Sequence, residues 1–422
     1  MLARLLLLFG LAASAPAAAE TLVVHAGRLI TDASRPASGP STITIVDGKI
    51  TGVSEGLDPA PPGARLIDLS TKTVLPGLVD AHVHLAGDPG GDYRDEAVDS
   101  DEWLTLVGVK NARITALAGF TTVRDVGSPP LTGFALRRAT QQGMIMGPRI
   151  LSSGPAISII GGHGDISGFR PEVIRALALD NTCTGAEQCA ARVREASRAG
   201  ADLIKITATG GVLSQQARGL GQHFTDAEMK AIVDTAHGLG LKVAAHAHGA
   251  RGIEAAARAG VDSIEHGTFA DAKAIAAMKA SGTAMVPTLM AFTGIRERLG
   301  KGVFTPQVED KVRQTLSEVG KAARAARAAG VPVVFGTDSA VYEHGRNAEE
   351  FALLVELAGM SPAEALASAT TAAARLLDLD GQIGRIAPGY SADLIAVGGD
   401  PMQNIRVLER VDYVMVRGRT IQ

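Results

Sequence analysis

The sequence predicts an α/β architecture: a (β/α)8 TIM barrel with a small β-sandwich-like domain formed from both chain ends. Three observations predict it. Eight short apolar runs alternate with Ala-rich stretches of helical spacing, and a barrel of this kind takes ~250 residues or more. The two ends of the chain share a Val-, Ile- and Thr-rich texture that the middle lacks. His, Lys and Asp side chains recur where the apolar runs end, as expected of a barrel that gathers its chemistry on one rim. The 422 residues also exceed the ~250–300 that one core supports, so a large and a smaller domain are expected.

Residues 1–19 read as an export signal. Arg4 gives a positive start, LLLLFGLAA a short apolar run, and Ala17-Ala18-Ala19 a cleavage site before Glu20. The apolar run is too short for the ~20 residues of a spanning helix. A periplasmic or secreted protein, cleaved near Ala19 and without a stable membrane anchor afterwards, is the expectation. The smaller domain is assigned to residues 20–75 and 380–422. TLVVHAGRLI, STITIVDGKI and ARLIDLS read as short antiparallel strands with a turn at Asp47-Gly48. ADLIAVGG and DYVMVRGRTIQ have the same character near the other end. His25 reads as an ordinary strand residue.

The barrel is assigned to residues 76–379. Its eight runs are VLPGLVDAH, FTTVRDV, PRILSSG, ADLIKIT, LKVAAHA, VDSIEH, AMVPTL and VPVVFGTD. Between them, DEWLTLVGVKNARITALAG, GAEQCAARVREASRAG, TDAEMKAIVDTAHGLG, IEAAARAG and DAKAIAAMKASG carry helical spacing, and several end in Gly, a common helix stop. A doubly wound sheet is the rival, but it does not bring residues from first, middle and last strands to one point. GKAARAARAAG reads as a solvated helix face. Cys183 and Cys189 allow a small-loop disulfide in an oxidising compartment, or two free thiols near a helix start. Neither has a nearby His or third Cys that suggests a metal site.

Composition narrows the function. With 46% hydrophobic and 20% charged residues, the chain is globular. A net charge of -3, no basic stripe and few aromatic residues argue against nucleic acid as a partner. The informative residues are His82 and His84 in LVDAHVHL, Lys205 in DLIKITATGG, His246 in KVAAHAHG, His266 in DSIEHG and Asp338 in VVFGTDSA. On a strand, residues i and i+2 share a face, so His82 and His84 can reach one ion. Each residue alone has a bland reading: a core histidine, a surface lysine, a helix cap. Together, at the ends of successive strands, they read as a metal constellation.

These motifs resemble the amidohydrolase superfamily, in its imidazolonepropionase-like branch. PGLVDAHVHL, the Lys of ADLIKI, AHAHG, SIEHGT, GTDS and the closing APGYSADLIAV carry the resemblance over nearly the whole mature chain. Within the branch the chain is similar to secreted zinc dipeptidases and ochratoxin-hydrolysing amidohydrolases. The resemblance implies two zinc ions. His82, His84 and Asp338 would hold the more buried one and His246 and His266 the other, with carbamylated Lys205 bridging both. A lysine ammonium repels cations, whereas a carbamate offers two anionic oxygens. Asp338 would also act as catalytic base and then acid. Mononuclear deaminases of this superfamily place a Glu shortly after the strand-five His; here the chain reads His246-Ala247-His248-Gly249-Ala250, which favours a binuclear hydrolase.

Rim loops set specificity, and His163, Arg218, His223 and His248 are the substrate-binding candidates. Arg218 has the fork that suits a substrate α-carboxylate. Tyr93 and His344 are weaker candidates, and His237 reads as a surface residue. The implied reaction is hydrolysis of the amide to a C-terminal amino acid in dipeptides, N-acyl amino acids or ochratoxin A. The alternatives are a cyclic-amide or lactone hydrolase on the same site, or a metal-free barrel used as a scaffold. The expected partner is a small-molecule amide or peptide. A homo-oligomer is expected from the family alone.

Overall fold

The structure is a computed structural model that describes residues 20–90, 94, 97–215 and 219–421. Residues 1–19, expected to form a leader, Tyr93 and Arg218 lie outside the described residues. Among those described, no helix is long and apolar enough to cross a membrane.

Both chain ends build one seven-stranded sheet. It contains β1 (Thr21–Leu29), β2 (Ser41–Val46), β3 (Lys49–Glu55), β4 (Arg65–Pro76), β14 (Leu394–Val397), β15 (Val411–Val416) and β16 (Arg419–Thr420), in the order β16-β15-β14-β4-β1-β2-β3. Asp47 and Gly48 turn β2 into β3 with φ of 48° and 74°, the two positive values a tight hairpin turn needs. One expectation is corrected: β4 runs parallel to β1, with Val24 opposite Ile67. The Pro- and Gly-rich stretch 56–64 returns the chain across the sheet before β4 begins, which a hairpin cannot do. The sheet curls. Ile50 donates to the Tyr390 carbonyl at 2.9 Å and Ala392 to the Gly48 carbonyl at 2.9 Å. The curl encloses Leu22, Val24, Ile43, Ile45, Leu394 and Met415, so one folded-over sheet does the work of the expected sandwich.

The rest is a TIM-barrel-like arrangement of parallel strands. β5 (Leu78–Val83), β6 (Phe120–Asp125) and β7 (Arg149–Ser152) form one parallel sheet. The two-residue strands β8 (Ser158–Ile159) and β9 (Thr182–Cys183) pair with each other. β10 (Leu203–Thr207), β11 (Lys242–Ala247), β12 (Ser263–His266) and β13 (Ala284–Val286) form the second parallel sheet. Asp202 donates to the Ser152 carbonyl at 2.9 Å between the two sheets. The eighth run pairs only locally: Val333 bridges Met285 and Ser339 bridges Val83, both parallel.

The predicted helical stretches are helices: α1 (Asp101–Leu117), α4 (Ala186–Ala199), α5 (Asp226–Gly238), α6 (Ala250–Ala259) and α7 (Ala272–Ser281), with α2 (Thr132–Gln141) and α3 (Pro171–Leu177) between the first two. Thr225 and Glu228 close a capping box on α5. Later come α8 (Leu289–Arg298), α9 (Pro306–Leu316), α10 (Lys321–Ala328), α11 (Glu349–Glu356), α12 (Pro362–Ser368) and α13 (Thr371–Leu376). On α10, Arg324 faces solvent while Ala322, Ala323 and Ala326 are buried, so only one face is solvated. Cys183 and Cys189 form a buried disulfide at the start of α4.

Candidate active site

The strand ends converge. His82 lies in β5 and His84 just past it; both Nε2 atoms stand 3.3 Å from Asp338 Oδ1. His246 lies in β11, His248 just past it, and His266 ends β12. The donor atoms of His82, His84 and Asp338 lie within 4.8 Å of one another, and so do those of His246, His248 and His266. The His82 and His266 rings, 5.1 Å apart between centroids, join the two groups. All six side chains, together with Lys205 and His163, line one cavity of about 300 Å³. Apolar side chains line the rest of it: Val126, Val212, Leu213, Phe292, Ile295 and Val341.

The backbone is bent to achieve this. His266 and Asp338 have φ of 69° and 60°, a left-handed conformation unfavourable for residues with a Cβ. Such strain persists only where surrounding structure holds it. Buried Asp80 supplies part of the hold: it accepts from Thr337 Oγ1 at 2.6 Å, the Thr337 N–H at 3.1 Å and Asn347 Nδ2 at 2.8 Å. Thr288, itself left-handed at φ 48°, places its hydroxyl 2.7 Å from His266 Nδ1.

Each ring is held by its outward nitrogen. His84 Nδ1–H donates to the Gly127 carbonyl at 2.9 Å, and His248 Nδ1 pairs with Thr268 Oγ1 at 2.8 Å. His82 Nδ1 pairs with Glu265 at 2.7 Å, and Glu265 is bound in turn by Arg124 at 2.9 Å and by Ser263. Those four rings, including His266, leave Nε2 for the cavity. His246 is reversed: its Nε2–H donates to the Gly210 carbonyl at 3.3 Å, leaving Nδ1. Outer partners of this kind fix ring tautomer and orientation around a metal. Two glycines make room: a Cβ on Gly127 would stand 2.8 Å from His84 Cε1, and one on Gly211 2.3 Å from His163 Cε1.

The electrostatics suit metal ligation. Burial, reinforced by neighbouring imidazoles and Lys205, holds His246 and His266 well below the usual imidazole range. Burial likewise takes His163 and His248 down to about 3. Burial also opposes a charge on His84, but Asp338 outweighs it and raises that ring. Asp338 stays ionised; burial opposes this, and His82, His84 and His266 overcome it. Burial brings Lys205 down to about 8, so a useful fraction of free amine is present at neutral pH.

Of the sequence-predicted residues, the structure brings together His82, His84, Lys205, His246, His266, Asp338, His163 and His248. His248 differs from expectation: it groups with His246 and His266 as a third donor. His223 does not line the cavity; its Nε2 is 3.4 Å from where a Gly210 Cβ would be. His344 instead joins loops, donating from Nε2 to the Gly87 carbonyl at 3.0 Å. His237 pairs with Asp262 at the surface. Sequence reading missed Arg124 and Glu265. The available signal was a charged residue inside each of two apolar runs, FTTVRDV and VDSIEH, where charge is rare unless paired.

Similarity to known proteins agrees with this geometry. The model of the amidohydrolase family matches residues 73–421. The chain is 31% identical over 413 residues to ochratoxinase of Aspergillus niger, covering 93% of this chain and 84% of that one. It is 29% identical over 427 residues to imidazolonepropionase of Rhizorhabdus wittichii, covering 87% and 92%. The crystal structure of a Xaa-Pro dipeptidase with methionine bound in its active site superposes with a TM-score of 0.87 at 37% identity, covering 95% of this chain and 99% of that one. The chain therefore belongs to the amidohydrolase family and is a hydrolase of amide or peptide bonds.

Proposed function

We propose that the protein is a binuclear zinc amidohydrolase that cleaves the amide to a C-terminal amino acid, in dipeptides and N-acyl amino acids, ochratoxin A among them. The observation that carries this is the pair of three-donor groups, His82/His84/Asp338 and His246/His248/His266, facing one cavity with buried Lys205.

The donor set fits zinc. Neutral imidazoles and an ionised carboxylate are its usual ligands, and each ring is aimed by a partner on its far side. His82, His84 and Asp338 would hold one ion, and His246 and His266 the other. Lys205, as a carbamate, would bridge them. His248, beside these residues in the same cavity, is left for the substrate. When bound, the ions would supply a hydroxide nucleophile at neutral pH and polarise the scissile carbonyl.

The chain's own groups do the rest. Asp338 takes the proton released on attack and delivers it to the leaving amine. His163 offers its ring to the substrate beside the reacting carbonyl. The apolar wall of Val212, Phe292 and Ile295 receives an apolar side chain or acyl group and keeps water out. In this reading the eight parallel segments close into a barrel through the Met285–Val333 and Val83–Ser339 bridges. The Cys183–Cys189 disulfide supports a periplasmic or secreted protein.

The test is metal quantification of purified protein paired with turnover of N-acyl amino acids that vary at the C-terminal residue. Two zinc ions per chain and release of the free amino acid are expected. Turnover of cyclic amides or lactones alone, with the N-acyl amino acids untouched, would replace this reading.

A further inference from the structure

Lys311 lies on α9, outside the cavity wall, yet it is buried with only 7% of its surface exposed. A lysine held this deeply needs partners for its ammonium. Its Nζ donates to two carbonyls of the loop after β10: Gly211 at 2.9 Å and Ser214 at 2.6 Å. Thr305, the residue before α9, adds a hydrogen bond to Gln215 at 3.1 Å. Val212 packs into a small apolar cluster with Ile295, Val308 and Val312 of α8 and α9. The inserted helices thus grip the 211–215 loop by charge, hydrogen bond and apolar contact.

That loop supports the ring of His163, which itself lies just past β8. Ser214 Oγ lies 2.6 Å from His163 Nδ1. The ring lies across Gly211 so closely that a Cβ there would come within 2.3 Å of it. Its other side faces His246, with centroids 4.2 Å apart. With Nδ1 engaged by Ser214, Nε2 is the nitrogen left for the cavity. A ring hydrogen bond of this kind selects the tautomer.

We propose that Lys311 is a positioning residue: by holding the carbonyls of Gly211 and Ser214 it fixes the Ser214 hydroxyl, and through it the orientation and tautomer of His163 over the reaction centre. This rests on the amidase reading of the cavity, in which His163 touches the substrate. Lys311 itself touches neither substrate nor metal ligand. Its contribution is geometric, and a misplacement of about 1 Å at a substrate-contacting group is enough to cost rate.

The experiment uses the zinc-loaded, full-length enzyme and the variants Lys311→Met, Lys311→Arg, Ser214→Ala, His163→Ala and Lys311→Met/His163→Ala. Kinetics on an N-acyl amino acid are paired with long-range 1H–15N NMR of histidine-labelled protein, which reads the His163 tautomer without turnover. Lys311→Met should lower kcat by roughly 10-fold with KM nearly unchanged and keep full zinc content. It should also shift the His163 ring nitrogens as Ser214→Ala does. In the His163→Ala background it should cost nothing further. Lys311→Arg, which keeps donors for both carbonyls, should shift the ring less and in the same direction. If Lys311→Met does not fold, Lys311→Arg and Ser214→Ala carry the comparison. Unchanged His163 signals in the lysine variants, or losses that multiply in the double variant, overturn the proposal. If the wild-type enzyme leaves N-acyl amino acids untouched, the amidase reading falls, while the NMR comparison still decides the role of Lys311.

Discussion

His82 and Glu265 are 183 positions apart in sequence, yet His82 Nδ1 lies 2.7 Å from the Glu265 carboxylate in the buried interior. Arg124 completes the unit with a 2.9 Å contact to the other Glu265 oxygen. A carboxylate in this place orients the imidazole, and the guanidinium balances the carboxylate. Removing one member of such a buried set leaves the other charge uncompensated, which costs about 3–5 kcal/mol. Glu265→Gln should lower unfolding free energy by about that amount, measured by chemical denaturation, and weaken zinc binding roughly 10- to 100-fold in a chelator competition.

Lys205 is expected to act as a carbamate. Lys205→Ala should lose activity by several orders of magnitude and drop below two zinc ions per chain. Reconstitution of metal-free wild-type enzyme should require bicarbonate. A Lys205→Ala enzyme that kept wild-type rate and metal content would rule the carbamate out.

Acid should destabilise the metal-free protein. His163 and His248 are held down to about 3 and His344 to about 4, all chiefly by burial. Below the ordinary imidazole value of ~6.5 the unfolded chain takes up protons that the folded chain refuses, so stability rises with pH across this window. At pH 5, His163 and His248 each account for up to about 2 kcal/mol relative to pH 7.5. Asp125, raised by burial to about 6, works the other way: it holds a proton when folded that the unfolded carboxylate has lost. Asp80, Glu350 and His84, also raised, act in the same sense as Asp125. Five lowered histidines, His246 and His266 included, outnumber these four, and denaturation midpoints should fall from pH 7.5 to pH 5.

Gly127 should tolerate no side chain. Its Cβ would sit 2.8 Å from His84 Cε1, and His84 is held by the carbonyl of the same residue. Gly127→Ala should cost about 1–3 kcal/mol of stability through overpacking. It should also lose affinity for the ion proposed at His82, His84 and Asp338, read as incomplete zinc loading.

The sequence exposed these cavity residues because each ends an apolar run, a local signal. His82, His84, Lys205, His246, His266 and Asp338 could be picked out without knowing the fold. Arg124 and Glu265 showed only as charges inside apolar runs, because the reason for each is the other, 141 positions away. His248 reads as a substrate contact because a single residue, Ala247, separates it from His246 and puts both on one rim face. That spacing also lets both rings turn inward past the strand end. The α8–α9 insertion was illegible because LMAFTGIRERLG mixes apolar and charged residues without a clean period, and its role lies in contacts to a distant loop. The parallel pairing of β1 and β4 depends on how 56–64 crosses the sheet, which periodicity does not encode.

The seven-stranded sheet has a consequence for the order of folding. Its central contact pairs Pro76 of β4 with Leu394 of β14, so the middle of the sheet waits for residues translated after nearly all of the barrel. Until they arrive, β4 presents an open edge with unpaired amides, the kind of surface that recruits foreign strands. Chains cut short before Leu394 should therefore aggregate even though every candidate metal ligand has already been made.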